Sequence, residues 1–206
     1  MKKMFFFFPL FLGLAFSNLM AQTQLNSFKT SGDDLPSQIK VKGVVNMARS
    51  WNDKNGDNYF VVGITEPTEG KEGGKTIRLH AVHYAGQPDN LKLMREFNDF
   101  IDDCQLDFDL SPIEGSLSIT DIDNDGKGEV MFLYRLGCYG DVSPLEVKLM
   151  MTENGDKYAI RGTETMYLGK EKTGGEKTIG AELNNNAAFK KLASAHWDKF
   201  CPNIKM

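Results

Sequence analysis

Met4 to Phe16 is an apolar run that carries only Pro9 and Gly13 as interruptions, with Lys2 and Lys3 ahead of it. Ser17-Asn18-Leu19-Met20-Ala21 then turns polar and ends in a small residue. A positive start, a short apolar stretch and a small-residue end form the three-part layout of a secretory signal peptide, so residues 1–21 are expected to be a leader cleaved after Ala21. The run is too short for a permanent span and no second long apolar stretch follows, so the mature chain is expected to carry no transmembrane span. No Cys stands near the cut, which argues against a lipid anchor.

Residues 22–36 are polar and are expected to be a flexible N-terminal segment, ahead of a single β-rich domain over 37–206. From Ile39 the apolar positions fall in short runs separated by turn residues. Val44-Val45 to Trp51 and Tyr59 to Ile64 flank Asn52-Asp53-Lys54-Asn55-Gly56-Asp57-Asn58 and predict a hairpin. Thr76–Tyr84 predicts another strand. Leu91–Cys104 fits a helical face, yet follows the turn Gly86-Gln87-Pro88-Asp89-Asn90 closely enough to pair back on that strand, and is read as a strand. Ser116–Tyr134 predicts a hairpin, and Asn154-Gly155 predicts a type I′ turn between Val147–Met151 and Lys157–Arg161. The polar stretches 66–75 and 169–180 read as loops. Leu183, Phe189, Leu192, His196, Trp197 and Phe200 recur at helical spacing and predict an amphipathic C-terminal helix laid on the body. The expected class is α+β and β-rich, an antiparallel meander of hairpins with that helix.

Composition leaves this picture standing: 41% hydrophobic, 25% charged, 20 Gly and 7 Pro are ordinary for a globular domain. A formal charge of −4, falling to −6 once Lys2 and Lys3 leave with the leader, excludes a general basic field for nucleic acid. Export changes the meaning of Cys104, Cys138 and Cys201, since two can pair in an oxidising compartment. The expected pair is Cys104–Cys138, because both flank the Ser116–Tyr134 hairpin; spacing alone leaves Cys201 open as a partner.

The stretch with the most chemistry is Thr120-Asp121-Ile122-Asp123-Asn124-Asp125-Gly126-Lys127-Gly128-Glu129. Counting from Asp121, carboxylates stand at positions 1, 3, 5 and 9, with Gly at 6 for the sharp turn and the Lys127 carbonyl at 7. Hard cations such as Ca²⁺ take six to eight oxygens, and close carboxylates without an ion repel. Asp121, Asp123, Asp125, Lys127 and Glu129 are therefore the candidate Ca²⁺ ligands. The loop is no EF-hand: position 12 is Phe132 rather than Glu, and both flanks read as strands. Asp53-Lys54-Asn55-Gly56-Asp57 is a weaker echo, read as a plain β-turn.

The strand-flanked loop resembles those of FG-GAP and VCBS repeats, the blades of integrin-type propellers; a closed propeller needs at least four blades and is not expected here. Ser116 to Gly162, with Trp51-Asn52-Asp53, Phe97-Asn98-Asp99-Phe100 and Cys104, is similar to a family of small exported bacterial proteins labelled surface polysaccharide biosynthesis proteins. That resemblance implies a β-rich fold and a cell-envelope setting, and supplies no catalytic residues.

Other signals weaken on inspection. Gly70-Lys71-Glu72-Gly73-Gly74-Lys75-Thr76 ends like a phosphate-binding loop, but Glu69 stands where the first Gly is needed. His80 and His83 are three apart and face opposite sides of a strand. Asp102, Asp103, Asp107 and Asp109 can supply a glycosidase pair only if two of them share a cleft. The function expected is non-enzymatic binding or structural support in the periplasm or at the cell surface, with an envelope glycan or envelope protein as partner. The alternatives are an Asp/Glu carbohydrate hydrolase and a partner-binding or inhibitor module that uses the terminal helix or an exposed Trp51.

Overall fold

The computed structural model describes residues 25–30 and 32–205; the leader expected over 1–21 lies outside the described residues. The first sheet contains β1 (Ser27–Lys29), β2 (Val44–Asp53), β3 (Gly56–Ile64), β4 (Thr68–Glu69), β5 (Lys75–Gln87) and β6 (Asn90–Cys104). Its order is β1-β2-β3-β5-β4, with β6 pairing along β5. The second contains β7 (Asp107–Pro112), β8 (Ser118–Thr120), β9 (Glu129–Tyr139), β10 (Glu146–Glu153) and β11 (Asp156–Thr163), then β12 (Thr165–Leu168) and β13 (Glu171–Gly174) leave it and β14 (Lys177–Ile179) rejoins it. Its order is β14-β11-β10-β9-β7, with β8 pairing along β9. Helices α1 (Ala181–Asn184) and α2 (Ala187–Phe200) follow, and β15 (Asn203–Lys205) closes a small third sheet beside β12 and β13.

Pairing is antiparallel throughout except for β12 with β15. The fold is thus β-rich α+β, and the 91–104 stretch is a strand registered on β5, with Ala81 opposite Phe97. Side chains two apart share a face, and that alternation builds the layers. Phe60, Val62, Leu79, Ala81 and Phe97 of the first sheet meet Val130, Phe132, Tyr134 and Met150 of the second in one shared core. The intervening residues of the second sheet, Met131, Leu133, Val147, Leu149 and Ile160, point the other way and are covered by Leu183, Phe189, Ala193 and Trp197. Val130–Tyr134 is consequently buried on both faces, as its continuous apolar run requires. Asn186 starts α2 by accepting the Phe189 amide on its side chain, 3.1 Å away. No helix among the described residues is long and apolar enough to cross a membrane.

Three local expectations are corrected. Within the segment expected to be flexible, β1 pairs with β2, and Leu25 packs on the shared core. The stretch 169–180, read as a loop, contains β13 and β14, which are polar edge strands held by backbone pairing with no apolar pattern to reveal them. The stretch 66–75 likewise holds the two-residue β4.

Candidate metal centre

The acidic loop joins β8 to β9. Thr120 and Glu129, the strand residues that flank it, are partners across the ladder. The Thr120 hydroxyl donates to Glu129 Oε2 at 2.7 Å, and the Ile122 amide donates to both Glu129 oxygens at 3.1 Å. Inside the loop, carboxylates curl the backbone by accepting amides two to five residues ahead. Asp121 Oδ2 accepts Gly126 N–H at 3.1 Å, Asp123 Oδ1 accepts Asp125 N–H at 3.2 Å, and Asp125 Oδ1 accepts Lys127 N–H at 2.7 Å. Gly126 has φ +85°, a left-handed value that favours Gly at this position.

The acids meet in two overlapping groups. Asp121, Asp123 and Glu129 offer carboxylate oxygens within 4.8 Å of one another, and so do Asp123, Asp125 and Glu153. The expected single ring of four carboxylates is therefore split, with Asp123 common to both groups. Lys127 enters through its amide and through its Nζ, 3.3 Å from Asp125 Oδ2. Glu153 has no counterpart in the sequence reading. It ends β10 at the Asn154-Gly155 turn, and only the pairing of β10 with β9 brings it to the loop. A spacing rule confined to one loop cannot find such a residue; its only local mark is a carboxylate beside a strong hairpin turn.

The electrostatics favour a cation. Asp121 is 7% exposed, and its Oδ1 is buried with no hydrogen-bond partner. Glu153 Oε1 is buried and unpartnered as well. Burial pushes the Glu129 carboxyl up to about 7, against the hydrogen bonds from Thr120 and Ile122, with the Asp123 charge adding to the rise. Glu153 is also pushed up to about 7, by burial first and then by Asp123, Asp125 and Glu129.

The Asp53 turn, read as a plain β-turn, is a turn, but it docks on the acidic loop. Asp53 Oδ2 accepts Gly128 N–H at 2.9 Å and Trp51 Nε1–H at 2.9 Å. Lys54 donates its amide to the Gly126 carbonyl at 2.9 Å and its Nζ to the Asp125 carbonyl. The first sheet thereby grips the acidic loop of the second. Trp51, expected as an exposed contact for a partner, is 3% exposed and belongs to the core, where Asp53 satisfies its buried indole N–H.

The chain matches no family profile, no curated protein and no solved structure.

Most of the remaining candidates have partners within the fold. Asp103 fills the turn over 70–76, accepting Glu72 N–H at 2.6 Å and Gly74 N–H at 2.8 Å. Asp102 accepts the Thr76 hydroxyl at 2.8 Å, and Asp109 is paired with Arg135 at 2.7 Å. His80 Nδ1 accepts the Lys42 amide at 2.9 Å while its Nε2 meets Glu96 at 2.7 Å. His83 is buried on the other face, stacked on Trp51 at 5.2 Å and donating Nε2–H to Asn58 Oδ1 at 3.0 Å. Burial lowers the His83 imidazole to about 4, although the Asp53 charge pulls it upward. Cys104 and Cys138 are joined as a disulfide and Cys201 is free. The bridge does more than close one hairpin: it links the end of β6 in the first sheet to β9 in the second.

Proposed function

We propose that this is an exported, calcium-stabilised binding or structural protein of the bacterial cell envelope. The observation that carries the metal reading is Asp121: one of its carboxylate oxygens is buried and unpartnered, and the residue offers an oxygen within 4.8 Å of oxygens from Asp123 and Glu129. Leaving a buried charge uncompensated is costly, and a divalent cation supplies the compensation. The ligand set is all oxygen, with no His or Cys, which selects a hard ion. Each group brings three carboxylates, up to six oxygens, in an irregular arrangement that Ca²⁺ accepts, whereas Mg²⁺ demands a tight octahedron. Export is supported by the leader layout of residues 1–21 and by the disulfide. The envelope setting rests on the family resemblance of Ser116–Gly162.

Calorimetric titration and thermal unfolding, each with calcium, magnesium or chelator, test this reading. Calcium at a hundredfold excess over Kd is expected to contribute about 2.7 kcal/mol, a rise in Tm of roughly 5–10 °C for a chain of this size. Asp121→Asn is expected to weaken calcium binding by about tenfold or more, without lowering the metal-free Tm, since it removes the unpaired buried charge. If calcium moves neither the heat nor the melting temperature, the metal reading fails.

Acid adds a second test with opposite signs. Unfolded His83 takes up a proton below its ordinary 6.5, whereas the folded imidazole stays neutral to about 4. Between those values the unfolded state binds more protons, so His83 makes stability rise with pH. Glu129 and Glu153, raised to about 7, bind more protons when folded, so in chelator they make stability fall as pH rises through the same window. Calcium holds both carboxylates ionised and removes their share. Urea unfolding across this window is expected to show a rising curve in calcium, flattened by His83→Gln, and a shallower or inverted curve in chelator.

A further inference from the structure

A groove of about 540 Å³ opens where β1 and β2 of the first sheet face β8 of the second, with the last turn of α2 along its side. It contains Lys29 and Arg49, which are direct partners across the β1–β2 ladder and therefore lie on one face. Like charges set opposite each other in an antiparallel pair repel. Lys199 adds a third cation from α2. Six ion pairs form among the described residues and none involves these three, although the chain carries a net charge of −4. Arg49 Nη1 donates to the Ala48 carbonyl at 3.1 Å, and Lys199 Nζ lies 4.8 Å from the centre of the Phe200 ring. His196 is held by the Ser116 carbonyl at 2.6 Å and adds no acid. An adjoining hollow of about 390 Å³ shares Lys29 and Arg49 and brings Glu114 as its one carboxylate.

The rest of the lining says what kind of anion fits. Ser27 stands beside Lys29 on the same face of β1, and Ser118 presents a buried Oγ with no partner. Phe200 also lines the groove, its ring engaged by Lys199 and by His196, 4.7 Å away between ring centres. The groove is far larger than a simple ion needs. β1 and β8 each pair on one side only, so an extended acidic peptide is the rival occupant of the groove.

We propose that this groove binds an acidic sugar, with its carboxylates against Lys29, Arg49 and Lys199 and its hydroxyls at Ser27 and Ser118. The three cations and both serines lie outside the acidic loop, which the groove meets only at Thr120, the donor to Glu129. The test is titration of the full protein with a galacturonate trimer, galacturonate monomer, a neutral glucose trimer, inorganic phosphate and a triglutamate peptide. Each is run in chelator and again in calcium, against blanks without protein. The acidic trimer is expected to bind saturably in both conditions, above the monomer and phosphate, with affinity falling as salt rises. Lys29→Gln and Arg49→Gln are each expected to weaken it by about tenfold. Both should hold or raise the Tm, because each relieves the cross-strand repulsion; a lowered Tm with unchanged affinity would show the cations to be structural and overturn the proposal. Equal binding of the neutral trimer, tighter binding of the peptide, phosphate binding as well as the trimer, or no saturation in either condition would also overturn it. None of these outcomes bears on whether calcium binds the Asp121 loop.

Discussion

Replacing Cys104 and Cys138 together by Ala is expected to lower the unfolding free energy by roughly 4 kcal/mol. The two residues are 34 apart in sequence, and the loss comes chiefly from the freedom regained by the unfolded chain. Cys104 is itself buried, at 4% exposure, against Leu110 and its neighbours in the shared core, so Ala at that position keeps the site apolar. Cys201 offers no replacement bridge. Burial pushes its thiol up to about 11, which leaves little thiolate to exchange. Urea unfolding of the double variant beside the native protein measures the difference. A loss under about 1 kcal/mol would mean that the unfolded chain is not effectively constrained by this bridge.

Phe132→Ala is expected to cost about 3–5 kcal/mol, the range for a fully buried aromatic. The ring is wholly inaccessible and sits 5.2 Å from Phe60, 6.0 Å from Phe97 and 5.6 Å from Tyr134, so it joins β3 and β6 of one sheet to β9 of the other. Neighbours on three strands cannot all collapse into the gap. Val142→Ala, at an exposed loop position, is the control and is expected to change stability by no more than about 0.5 kcal/mol. Chemical denaturation of the two variants compares them, and a Phe132 effect as small as that of Val142 would contradict this packing.

Local chemistry made the hairpins readable. Asn154-Gly155 adopts left-handed φ values of 47° and 88° at the predicted turn, and the run Val130–Tyr134 announced a strand covered on both sides. Helix α2 was visible in its stripe because one face had to meet the second sheet. What stayed hidden was whatever depends on contacts between distant segments. Glu153 reaches the acidic loop only after β10 pairs with β9, and Asp53 docks there only after the sheets stack. The polar strands β13 and β14 lacked any side-chain pattern, since both their faces are largely exposed. The groove with Lys29 and Arg49 escaped for the same reason: their opposition exists only in the β1–β2 register.

Strand β9 is attached to the opposite sheet near both of its ends. Just before Glu129, Gly128 is held by Asp53; near the other end, Cys138 is bonded to Cys104. Over 11 residues these attachments stand some 30 Å apart. One attachment would leave the sheets a pivot about which to rotate. Two, widely separated and of different chemistry, remove rotation and sliding together, so the angle between the layers is set by covalent redox state at one end and by the ordering of an acidic turn at the other.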